Sequence, residues 1–156
     1  MHSAYKYILV IVKEETEKYL EKCLTDVAFN QSPHIKTILQ DGKIVKINEV
    51  HQKLFGHTLE DIKDVTIDDL NQKYPVLFND TGLALSFKQI YNLVLSNQYP
   101  HIFYRSFLYI PSYEDYLGAI ARNIDFNGRP AVEYTIFKKT ATFKNKFWET
   151  DKISQL

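Results

Sequence analysis

Asp41-Gly-Lys-Ile-Val-Lys-Ile-Asn48, with Leu54-Phe-Gly-His-Thr-Leu-Glu-Asp-Ile62 shortly after it, is the stretch on which the reading of this chain turns. Asp41-Gly42 is a hairpin signal, because a two-residue turn of this kind needs positive φ and Gly supplies it. Lys43 to Ile47 reads as the strand leaving that turn. Asn48 suits an N-cap, its side-chain oxygen accepting an otherwise unpaired backbone N–H. Val50, Leu54 and Phe55 form the buried face of the helix that follows, and Gly56 closes it in a left-handed cap. Thr58, with Asp61 three residues on, opens a second capped turn.

Upstream, His34 to Gln40 alternates as the partner strand, with Ile35, Thr37 and Leu39 on one side and Ile38 on the other. Pro33 ends a helix predicted over Glu14 to Phe29, since the residue before a proline is pushed out of the helical region. In that helix Leu20, Cys23, Leu24 and Val27 recur at spacings of three and four, opposite Lys18, Glu21, Lys22 and Asp26. Downstream, Val65 to Leu85 has no clear period and is broken by Pro75 and by Asn79 to Gly82. Ser86 then caps a helix over Phe87 to Ser96, whose Phe87, Ile90, Leu93 and Val94 share one face. After Pro100 the period drops to two. Phe103 to Ile110 and Tyr116 to Phe126 read as strands, and Asn127-Gly128 turns the second of them into a partner over Ala131 to Lys138. The order of helix, two strands, helices and three strands predicts an α+β fold: a five-stranded antiparallel sheet, connecting helices on one face, and an N-terminal flanking helix.

At 156 residues the chain is long enough for one domain with a substantial core. The 19 basic and 19 acidic residues cancel, without the basic surplus that phosphate contacts require, so direct nucleic-acid binding is not expected. The apolar run Ile8 to Val12 is too short to cross a bilayer. With a single cysteine, Cys23, there is no disulfide framework, and a reducing, cytoplasmic setting is expected.

These segments, taken with Ile124-Asp-Phe-Asn-Gly-Arg-Pro-Ala-Val132, resemble a PAS domain in motif and order. The similarity spans about Gln31 to Thr140. Gln31-Ser-Pro33 looks like the family's entry to its first strand, and Asp41 to Asn48 its turn, second strand and helix-capping Asn. Leu54 to Ile62 is similar to its aliphatic, glycine, aromatic, Ser/Thr, acidic run. Tyr116 stands where many members carry Trp, and Ile124 to Val132 is similar to the last hairpin. Asp64, where Gly is frequent, and Lys138-Lys139-Thr140, where Asp-Ile-Thr is frequent, depart from the pattern. The resemblance implies a sensor or interaction module that binds a small molecule or partner protein and signals by altered packing or dimerisation. It divides the chain into a leader and flanking helix (1–30), a sensor core (31–143) and a tail (144–156); residues 141–148, across the last boundary, alternate like a strand.

Residues of chemical interest are sparse. The five histidines, His2, His34, His51, His57 and His101, have no metal-ligand spacing, and His51 and His57 read as surface or capping residues. His101 follows the helix from whose neighbourhood haem-binding PAS domains supply an imidazole, but Pro100 beside it indicates a loop. The adduct-forming cysteine of photoactive flavin members lies inside the core, whereas Cys23 precedes it and reads as a buried structural thiol. Neither haem, flavin nor metal is therefore expected. No Gly-x-Ser-x-Gly elbow or phosphate-cradling loop occurs. Tyr91, Tyr99, Tyr104, Tyr109, Tyr113 and Tyr116 read equally as lining for an amphipathic pocket and as strand formers on a half-buried sheet.

A pocket is expected between the sheet and the helix Phe87 to Ser96, lined by Ile90, Leu93, Val94, Phe107, Ala119 and Ala121, because small strand residues leave room that something must fill. The stripe of Leu20, Cys23, Leu24 and Val27, edged by Tyr19, is expected to pack against its own copy in a homodimer. Two alternatives are a scaffold with a filled core and a small α+β enzyme with a cone-shaped cavity, the latter requiring a buried acid or tyrosine pair.

Overall fold

The computed structural model describes residues 13–105 and 113–139, except 15, 18, 19, 22 and 23 and the side chain of 113. Phe107, Tyr109, Tyr19, Cys23, the apolar run at 8–12 and the tail therefore lie outside the described residues. Within them the chain is α+β, with one seven-stranded antiparallel sheet and five helices. Helix α1 ends at residue 31 and includes residues 24–31. Strands β1 (Ile35–Gln40) and β2 (Lys43–Ile47) lead into helices α2 (Glu49–Phe55), α3 (Leu59–Ile62) and α4 (Ile67–Lys73). The short strands β3 (Leu77–Asn79) and β4 (Ala84–Leu85) precede α5 (Phe87–Leu95), and β5 (His101–Arg105), β6 (Tyr116–Phe126) and β7 (Arg129–Lys138) complete the sheet.

The sheet order is β2-β1-β7-β6-β5-β3-β4. The five expected strands are contiguous, and the correction is the β3–β4 hairpin added at the β5 edge. It falls in the stretch without periodicity, where strands of three and two residues are too short to show one. The same stretch contains α4, opened by a capping box in which Thr66 and Asp69 satisfy each other's backbone N–H. The strand expected from Phe103 begins earlier, at His101, immediately after Pro100.

Both signalled hairpins form. Asp41 and Gly42 have φ of 52° and 72°, and Asn127 and Gly128 have 53° and 81°. The strand β1, between β2 and β7, holds the two turns together: Gln40, buried, donates from Nε2 to the carbonyls of Phe126, Arg129 and Pro130 at 3.0, 3.2 and 3.3 Å. The first turn also anchors the helices, since the Gly42 carbonyl accepts from Ile67 N at 2.8 Å and its N–H donates to the Tyr91 hydroxyl at 3.0 Å.

Alternation sorts the strands into two faces. On one, Leu39, Val132, Tyr134, Ala119, Ala121, Ile102 and Tyr104 form the main core with Ile90 and Val94 of α5. Asn123, on the same face, fixes the end of α5 by donating from Nδ2 to the carbonyls of Val94 and Leu95. On the other face Phe29 of α1 packs with Ile38 and Ala131, and Lys46 pairs with Asp26 at 2.6 Å. Further along, the buried Glu133 carboxylate accepts from Arg122 Nε at 2.9 Å, with Lys36 Nζ at 3.6 Å. No helix among the described residues is long and apolar enough to cross a membrane.

A Cβ on Gly128 would meet nothing within 4 Å, so the cost of a side chain there is the backbone's alone. Gly128→Val should lower unfolding stability in urea by roughly 1–3 kcal/mol, and Gly128→Asn by much less, because Asn tolerates positive φ. Equal midpoints for parent and Val variant would contradict this account of the turn.

Candidate functional site

The site is built outward from Asn48, which is fully buried. Its Oδ1 accepts from the backbone of Lys36 and of His51, each at 3.1 Å, and its Nδ2 donates to the His34 carbonyl at 2.8 Å. The start of α2 is thereby fastened to β1. One turn in, His51 shares a 2.7 Å hydrogen bond between Nδ1 and the Thr37 hydroxyl. At the far end of α2, Gly56 takes a left-handed conformation with φ 69° and turns the chain back. His57 consequently lies 5.7 Å from Phe55, nearly parallel to it, and 5.2 Å from the His51 ring.

These three rings form one wall of a cavity of ≈ 300 Å³. Its floor is the sheet, with Ile35, Thr37 and Leu39 of β1 and Tyr134 and Ile136 of β7. Ile62, Val65, Leu70 and Tyr74 close the helical side, and Leu77, Phe87 and Tyr104 close the remaining end. Asp69 and Lys73 are exposed members of the lining and stand where it meets solvent. The volume lies at the lower end of the range for small-molecule sites, about 300–1,000 Å³.

Two of the lining residues carry an unsatisfied polar atom. Tyr134 Oη and His57 Nε2 are both buried without a hydrogen-bond partner among the described residues. Burial raises the Tyr134 hydroxyl well above its ordinary pKa, with the Tyr104 and Tyr91 hydroxyls adding to the effect. Tyr104 is raised for the same reason, burial first and then Tyr74, so both phenols stay protonated and able to donate. Burial, reinforced by His57, pushes the His51 imidazole down to about 4, leaving it neutral at pH 7. Asp69 is held below the usual carboxylate range by hydrogen bonds from the Thr66 N–H and hydroxyl at 2.9 and 3.0 Å. It is the one carboxylate among the described lining residues. Among the described residues no three His, Cys, Asp or Glu side chains are grouped to hold a metal. The arrangement can enclose a small apolar body and meet a polar group on it.

Of the six residues expected to line a pocket, Phe107 lies outside the described residues and the other five do not line this cavity. Ile90, Val94, Ala119 and Ala121 are together but fully buried in the core, and Leu93 packs at its margin. The space left by the two alanines is filled by α5 itself. The cavity lies over β1 and β7 instead. The reading of His51 and His57 as surface residues also needs correction, since His51 is buried and His57 half-buried. Their signal was positional: His51 precedes Phe55 by four residues, which places both on one face of α2. Tyr134 lies outside the tyrosine-rich segment 91–116. Of that segment, Tyr104 lines the cavity, Tyr91 and Tyr116 are buried elsewhere, and Tyr99 is exposed. His101 belongs to a strand and not a loop; it is exposed and meets Phe103 edge-on at 5.6 Å.

In comparison with known proteins, no family model matches the chain and no curated sequence matches it.

A buried neutral histidine makes stability depend on acid. Unfolded, His51 takes up a proton below about pH 6.5, while folded it resists until about pH 4, so stability is complete above 6.5 and falls between those values. Lowering the pH from 6.5 to 5 should therefore cost the parent about 2 kcal/mol from this residue. His34, lowered by burial and by Lys36, acts in the same direction in both proteins compared. His51→Gln keeps a polar partner for Thr37 and should show a shallower decline in urea midpoint over this range. Parallel declines would show that His51 titrates normally in the fold.

Proposed function

We propose that this chain is a PAS-like sensory or regulatory domain, cytoplasmic in setting, that binds a small molecule under α2–α4 and signals by altered packing or dimerisation. The observation that carries the reading is the cavity: ligand-sized, mostly apolar, and walled by the helices that connect the two halves of the sheet. Further support comes from the order of two strands, connecting helices interrupted by the β3–β4 hairpin, and three further strands, which apart from that hairpin is the order the motif resemblance implies. A scaffold with a filled core would have no such space. For an enzyme of the cone-shaped kind, the lining offers the buried phenols of Tyr104 and Tyr134, but its one described carboxylate is exposed and engaged by Thr66. Native mass spectrometry of gently purified protein tests the reading. Additional mass that is lost on denaturation is the expected result. Bare protein in every preparation, with no melting shift from any compound in a cell extract, would remove its basis.

Dimerisation is favoured by a separate observation. Leu20, Leu24 and Val27 are 53%, 68% and 49% exposed, although Phe29 fastens the same helix to the sheet. An apolar stripe of this kind is stabilised when it faces its own copy across a two-fold axis. Leu24→Glu should convert a dimer to a folded monomer in sedimentation experiments, with a cooperative unfolding transition retained and its dependence on protein concentration lost. A parent that is monomeric at high micromolar concentration contradicts the dimer.

A further inference from the structure

We infer that the molecule bound in this cavity is compact and electrically neutral, with a largely apolar body and one hydroxyl or carbonyl group that meets Tyr134 Oη and His57 Nε2. The inference rests on the binding reading above and narrows it to a ligand class.

Tyr134 is 4% exposed and projects from the centre of β7, stacked on Phe87 at 4.9 Å. A phenylalanine would make the same stack without leaving a hydroxyl unsatisfied, and an unpaired buried hydroxyl is destabilising. The hydroxyl therefore has a use that the described residues do not supply. A second unsatisfied atom, Nε2, belongs to His57, another residue of the same lining. A phenol donates or accepts and an imidazole nitrogen does either according to tautomer, so an oxygen that can take part in two hydrogen bonds suits both. Most of the remaining lining is aliphatic or aromatic, which favours an apolar body.

Charge is disfavoured by the same surroundings. Asp69 and Lys73, the charged lining residues, are one of each sign, lie four residues apart on α4 and are exposed. Deeper in, His51 is neutral at pH 7 and committed to Thr37. A carboxylate or ammonium drawn inside would lose its hydration without a buried counter-ion among these residues.

Three probes with one carbon skeleton separate the possibilities: naphthalene, 2-naphthol and 2-naphthoate, titrated calorimetrically at pH 8 into ligand-free protein. The expected result is that 2-naphthol binds about tenfold more tightly than either of the others. Tyr134→Phe should reduce that advantage while leaving naphthalene affinity unchanged, and should melt no lower than the parent, because it deletes an unsatisfied group. His57→Phe should reduce the advantage independently. Equal binding of naphthalene and 2-naphthol, or tightest binding of 2-naphthoate, overturns the ligand class and leaves the binding reading standing. Failure of all three probes while another molecule co-purifies has the same meaning. Failure of all three with nothing co-purifying overturns both.

Discussion

The buried amide of Asn48 is the constraint on which the arrangement of this molecule depends. Its oxygen accepts from one strand residue and one helix residue, and its nitrogen donates to a third backbone group, so a single side chain joins β1 to the start of α2. The backbone takes part too, with Asn48 N donating to the Lys36 carbonyl at 3.2 Å as a last rung beyond β2. A fully buried amide is tolerated only when its hydrogen-bonding capacity is used, and here three of those bonds fall on backbone groups that would otherwise be unpaired. The direction of α2 follows from this join. So do the position of His51 over Thr37 and the return of His57 at the left-handed Gly56.

The two halves of the helical face meet the sheet differently. Over β5 and β6, α5 lies close because Ala119 and Ala121 hold it at a short distance, and Ile90 and Val94 leave no exposed surface. Over β1 and β7, the cover consists of α2, α3 and α4, of seven, four and seven residues. Each is separately capped, and helices this short cannot lay a continuous apolar stripe across the strands. The cavity occupies that break. Its unsatisfied Tyr134 hydroxyl stands at the boundary between the packed half and the open one, stacked on the first residue of α5.

The opposite face of the sheet is only partly closed by α1. Phe29 contributes the apolar contact, and Lys46 lies over its ring at 4.5 Å while pairing with Asp26. These contacts fix the end of the helix, while Leu20, Leu24 and Val27 before it are exposed. The proposed sensor has a route from the cavity to this face through β1 and β7, which present Thr37 and Tyr134 to the cavity and Ile38 and Ala131 to the region of Phe29.

The sequence by itself determined the features that depend on neighbours along the chain. Positive φ at Gly42 and Gly128 set both hairpins, Asn48 and Ser86 set the starts of α2 and α5, and alternation marked β1, β6 and β7 with nearly their observed ends. Such signals are legible because a turn or cap is made of residues a few positions apart. The β3–β4 hairpin was illegible, since its strands, of three and two residues, are too short to repeat the pattern and are held through the pairing of β3 with β5. Only the tertiary structure decided where the space in the core would lie. A pair of alanines indicates room, but whether that room is filled depends on how closely a distant helix approaches, and α5 approaches closely. For the same reason His51, His57, Thr37 and Tyr134, from four separated positions, became one site only when Asn48 set the angle of α2 against the sheet.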